Sequence, residues 1–87
     1  MNDNLIGLTV RFVIPAGYDD YDMHRTYEGR VMSKVRTNMI FKGNVAVADA
    51  YVINATIVGE DGKVHPCMQA MLKLCKPEWL TKVISAI

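Results

Sequence analysis

The run "VAVADAYVINATIV", residues 45–58, constrains the fold more than any other stretch of this chain. It is broken only by Asp49, Asn54 and Thr56, so most of it has to be covered. It is too short and too polar to span a bilayer as a helix, which takes about 20 predominantly apolar residues. Val45, Val47, Val52, Ile53, Thr56, Ile57 and Val58 argue for a strand. The alanines keep a partly helical reading open. The chain offers little to cover this run with. At 87 residues it is one domain, 1–87. A domain this small buries only about 60–65% of the surface its unfolded chain exposes. Its core is thin, and a deep closed cavity is hard to build.

The remaining segments have strand periodicity. In "LIGLTVRFVIP", Leu8, Val10, Phe12 and Ile14 alternate with Thr9, Arg11 and Val13, and Pro15 ends the ladder. "RTYEGRVMSKVRT" gives a second strand anchored by Tyr27, Val31 and Val35, with Gly29 marking a bulge or bend. "NMIFKGN" fits a short strand followed by a turn. "GEDGK" is a hairpin turn after which "VHPCM" returns. Met71 to Cys75 suits a strand or a short helix. "PEWLTKVI" reads as an amphipathic turn or short helix that docks Trp79 on the core.

Ten Lys and Arg against nine Asp and Glu leave +1, which neither demands nor excludes a nucleic-acid partner. The charges come in blocks. Asp3, Asp19, Asp20 and Asp22 against Arg11 make residues 1–24 acidic. Arg25, Arg30, Lys34, Arg36 and Lys42 against Glu28 make residues 25–44 basic. Residues 45–62 are acidic again and residues 63–87 basic. No signal peptide or membrane helix is expected, so the setting is cytoplasmic. Cys67 and Cys75 are then reduced, buried thiols.

Four or five short strands with bends and a terminal aromatic turn predict a mainly β fold. The expected form is a small curved barrel of 4–6 strands with a short C-terminal helical turn, because closing the sheet removes exposed edges. "LIGLTVRFV", an acidic loop, "YEGRVMSKV", "VINATIVGEDGKVHPC" and "LCKPEWLTKV" together resemble the pattern of SH3-like barrels, especially the small ones that bacteriophages encode. The resemblance covers most of the chain through generic elements. "RTNMIFKGNVAVADA" departs from it, either as a long distal hairpin or as the sign of a different α+β fold.

Two segments are candidate sites. "GYDDYDMH" concentrates Asp19, Asp20, Asp22 and His24. It lacks the ligand spacing of a calcium loop, and nothing local raises the pKa of one carboxylate for acid–base work. It reads as a solvated loop. The resemblance implies that this loop borders a ligand groove, which makes Tyr18, Asp19, Asp20, Tyr21 and Asp22 a partner-contact loop. The second segment is basic: Arg25, Arg30, Lys34, Arg36 and Lys42 surround Tyr27 and Phe41. On one extended strand Arg30, Lys34 and Arg36 would share a face, bulge permitting, and could track phosphates while an aromatic stacks a base. The plain reading is a solvated outer face.

His65 has no orienting third group near it and reads as a strand-end packing residue. No phosphate loop, serine elbow or histidine-rich metal pattern is present, so no enzyme, metal or cofactor is expected. The methionines read as filler for an irregular core. The leading functional expectation is a non-enzymatic module that binds, inhibits or redirects a host protein, as the phage resemblance implies. The alternative is a small barrel that binds RNA or single-stranded DNA through residues 25–42. A homodimer through residues 45–58 is a further expectation, with the small residues Ala46, Ala48 and Ala50 allowing close approach.

Overall fold

The computed structural model describes residues 5–18, 25–64 and 69–85. The fold is mainly β: one antiparallel sheet of five strands in the order β4-β3-β2-β1-β5. The strands are β1 (Thr9–Val13), β2 (Thr26–Phe41), β3 (Asn44–Ile57), β4 (Met71–Cys75) and β5 (Leu80–Ser85). A 3-10 turn, Pro77–Trp79, joins β4 to β5. The sheet is curled and does not close by pairing β4 with β5 among the described residues.

Residues 45–58 therefore do not form a helix. All but Val58 lie in β3, and "RTNMIFKGNVAVADA" forms the outer half of a long β2–β3 hairpin. Its turn is tight: Phe41 faces Asn44 across Lys42 and Gly43, whose φ values are 49° and 81°. Positive φ at both central residues gives the twist that suits a two-residue hairpin. The 16 residues of β2 would span about 50 Å if straight. The longest dimension of the molecule is 35 Å, so the hairpin must bend back on itself.

Two local features allow that bend. Gly29 faces Val10 on one side and Ala55 on the other, in regular register. A methyl group at Gly29 would collide with the Asn54 carbonyl oxygen, so its role is close strand approach. The bulge expected at Gly29 lies three residues later. Between Val31 and Ser33 the register skips Met32, which leaves two residues of β2 against one step of β3.

The core sits inside the curl. Val10, Phe12, Ile14, Tyr27, Val31, Tyr51, Ile53, Ala55, Cys75 and Trp79 form one buried cluster, with Met39 and Leu80 packed against it. β1 supplies Val10 and Phe12 by the alternation expected for it. Arg11, on the opposite face, donates to Glu28 at 2.7 Å and to the Gly62 carbonyl at 2.7 Å, tying β1 to β2 and to the turn after β3. That turn is held by Gly59 N–H on Lys63 O, and Val58 bridges Val64. The strand that returns to β3 is β4, from Met71 onward. In "PEWLTKVI" the helical part is only Pro77–Trp79, because Leu80 onward pairs with β1 and the ladder captures it.

Among the described methionines, Met39 packs on the core, whereas Met32 and Met71 are exposed. Cys75 is a buried free thiol. No described helix is long and apolar enough to cross a membrane.

Candidate binding groove

The bent hairpin ends against the segment that follows β1. Lys42 N–H donates to Gly17 O at 2.6 Å, and Tyr18 forms a bridge with Phe41. The Phe41 ring occupies the space a side chain at residue 17 would need, and Gly17 has φ 99°, so glycine suits this position twice over. Tyr18 lies between two aromatics, 4.9 Å from Phe41 and 4.6 Å from Trp79, edge-on to the latter at 72°. Lys76 Nζ donates to the Tyr18 hydroxyl at 3.3 Å and pairs with Glu78 at 3.0 Å. The Glu78 bond, then the Tyr18 bond, raise the Lys76 pKa above its ordinary value. Glu78 is held below its ordinary value, first by its own backbone N–H and then by Lys76.

Beside this aromatic row lies an open groove of about 370 Å³. Its walls are Ile14, Tyr18 and Trp79, residues 38–40 of β2, and Leu72, Lys73 and Leu74 of β4. The lining is mostly apolar, and its one cationic side chain is Lys73. Lys73 Nζ sits 5.1 Å from the centre of the buried Tyr27 ring. At 68% exposure, Leu72 is the most open large apolar side chain described. The size falls in the range of ligand-binding clefts, about 300–1,000 Å³. At Cys75, in the buried core, burial and then Glu78 push the thiol well above its ordinary pKa, and the thiol donates to Lys76 O at 3.3 Å. It is a neutral packing group and not a nucleophile.

The residues singled out from sequence meet different fates. Tyr18 and Phe41 stand together in the aromatic row. Lys42 lies over the Phe41 ring at 5.4 Å. Tyr27 is fully buried, stacked on Phe12 at 5.4 Å, and has no face for a base. Arg30, Lys34 and Arg36 do not share a face. Arg30 pairs with Asn54, whereas Lys34 and Arg36 pair with Tyr51 and Asp49, on the other side of the sheet. The Met32 bulge reverses the alternation between them. Arg36 also donates to Asp49 at 3.3 Å. Arg25 is exposed just before β2.

Asp19, Asp20, Tyr21, Asp22, Met23, His24, His65, Cys67 and Met68 lie outside the described residues. Among the described residues no cluster of three or more His, Cys, Asp or Glu is placed to hold a metal. Sequence reasoning missed Trp79, Met39, Leu72 and Leu74 as site residues. Trp79 carried a signal in "KPEW", but it was read as core. The other three needed the hairpin bend to come together. No protein-family model, no curated protein and no solved structure matches this chain.

Proposed function

We propose that this chain is a non-enzymatic binding module that engages a protein partner through the groove of Tyr18, Trp79, Met39, Leu72 and Leu74. One observation carries the reading. A small domain with a thin core leaves an aromatic-floored apolar cleft and its flanking leucines open to solvent. Such exposure is costly unless a partner covers it. Tyr and Trp are enriched among the residues that carry the binding energy of protein interfaces. The resemblance to small bacteriophage barrels supplies the rest of the reading: a host protein as partner, inhibited or redirected, in the host cytoplasm. Asp19, Asp20, Tyr21 and Asp22, which follow Tyr18 in sequence and lie outside the described residues, are assigned to partner contact in this reading.

The RNA or single-stranded DNA reading has less support. Of its two candidate stacking residues Tyr27 is buried and only Phe41 is exposed, and its three central cations are divided between two faces.

The test is capture from a bacterial lysate on the immobilised chain, with Leu72→Glu and Leu74→Glu as paired variants. A stoichiometric protein retained by the parent and lost from both folded variants supports the reading. Equal capture by all three, or no capture by the parent, overturns it.

A further inference from the structure

The lining of the groove has an order that a pocket built from strand faces would not have. Residues 38, 39 and 40 are consecutive on β2, and Leu72, Lys73 and Leu74 are consecutive on β4. Successive side chains of a strand point to opposite faces. A wall made of three in a row is therefore a strand edge.

Both edges lack a partner strand among the described residues. β4 is the last strand of the sheet and pairs only with β3. β2 is paired along one edge with β3 from Tyr27 to Phe41, apart from the bulged Met32. Its other edge pairs with β1 as far as Arg30, and Gly7 and Leu8 satisfy Val31. The next partner on that edge is Tyr18, at Phe41. From Met32 to Ile40 no described strand covers it.

We propose that the groove is a slot for one extended segment of a partner protein, added as a strand between the β4 edge and the outer β2 edge. The proposal rests on the reading of the chain as a binding module and specifies its ligand. An extended segment turns alternate main-chain groups to opposite sides. In this slot one set meets β4 and the other meets β2, so the whole backbone is read. Side-chain selectivity comes from the walls. Ile14, Tyr18, Met39 and Trp79 favour an aliphatic or aromatic residue at alternate positions. The one cationic side chain of the described lining, Lys73, favours a carboxylate on the segment. The chain's own described alternating segments are already paired within its sheet, which favours a foreign segment over a second copy.

The probe is a library of capped octapeptides with aliphatic residues alternating with Thr or Glu, selected on the purified full chain. The best binder is then N-methylated at each interior amide in turn. Each methylation is expected to weaken binding by about tenfold, on both parities, since each removes one main-chain hydrogen bond. Lys73→Met is expected to weaken Glu-bearing peptides and to spare their Gln counterparts. Amide exchange is expected to slow on peptide binding at Leu72–Leu74 and at residues 38–40 together. Failure to select a binder overturns the slot, as do insensitivity to methylation, loss at alternate amides only, and protection confined to one strand. Protection of both strands on dimerisation without peptide assigns the slot to a second copy and likewise overturns it. If lysate capture depends on Leu72 and Leu74 but peptides of the captured protein ignore N-methylation, the binding module stands and the strand slot falls.

Discussion

The ring of Tyr18 meets the ring of Trp79 edge-on, with centroids 4.6 Å apart, and this contact joins the end of the first strand region to the last turn of the chain. Sixty-one positions of sequence separate the two residues, and the bent hairpin rests on the contact through Phe41. An aromatic pair of this geometry contributes about 0.5–1.5 kcal/mol beyond its area. A double-mutant cycle with Tyr18→Leu and Trp79→Leu, read by urea unfolding, should return a coupling in that range. A coupling near zero would show that the row is an accident of proximity. Tyr18→Phe, which removes only the bond from Lys76, should cost about 0.5–1 kcal/mol.

Gly29→Ala should be among the most damaging single substitutions. The added methyl meets the Asn54 carbonyl, which belongs to a strand paired on both sides and has no room to retreat. A loss of about 3 kcal/mol or more is expected. Gly43→Ala, which meets no atom within 4 Å but keeps a positive φ, should cost about 1–2 kcal/mol. Urea midpoints of the two variants check the order.

Cys75 should resist alkylation in the folded protein at pH 8.5 and react once unfolded, because its folded pKa is raised by burial. The linkage has a definite sign. A thiol whose pKa is higher folded than unfolded holds its proton while the unfolded chain loses it. Stability is therefore unaffected below the unfolded value, near 9.0, and falls as pH climbs above it. Unfolding midpoints between pH 8 and pH 10.5 should decline in the parent, and part of that decline should vanish in Cys75→Val. An identical decline in both would remove the assignment.

The Arg36–Asp49 pair should contribute little. Both side chains are largely exposed, and such pairs are worth about 0–1 kcal/mol. Asp49→Asn should shift the unfolding midpoint by less than the Tyr18→Phe change does. The split of Arg30 from Lys34 and Arg36 carries a second expectation. Single-stranded oligonucleotide binding should show a salt slope well below the value of about two that three aligned phosphate contacts would give. A steep slope abolished by alanine at all three positions would restore the nucleic-acid reading.

Self-association should run through the valine side of the hairpin and not through its alanines. Val45 and Val47 are 61% and 57% exposed, whereas Ala48 is half-buried and Ala50 fully buried. The sheet curls with Ala48 and Ala50 inward, and only Ala46, next to the turn, stays exposed. Light scattering at tens of micromolar should give twice 9.7 kDa for the parent and 9.7 kDa for Val47→Glu. A parent mass of 9.7 kDa would remove the dimer.

Much of the architecture was legible in residue order. Period-two patterning placed Val10, Phe12 and Ile14 on the core side of β1, because alternation is a local property of an extended chain. β-branched density argued for β3 as a strand, but the alanines left a partly helical alternative that only the structure closed, and the Lys42–Gly43 turn sat where the turn chemistry put it. The aromatic of "PEWL" docked on the core as expected. What the sequence could not place was the bulge. Gly29 looked like the irregular residue, yet it serves close packing, and the extra residue is Met32, whose identity carries no bulge signal. That one-residue shift moved Arg30 away from Lys34 and Arg36, since a slip of one in a period of two exchanges faces. The groove lay further still from the sequence. Residues 38–40 and Leu72–Leu74 become neighbours only because a long hairpin bends until Phe41 reaches Tyr18, and that bend is a property of the closed packing of Gly17, Phe41 and Trp79 rather than of any segment alone.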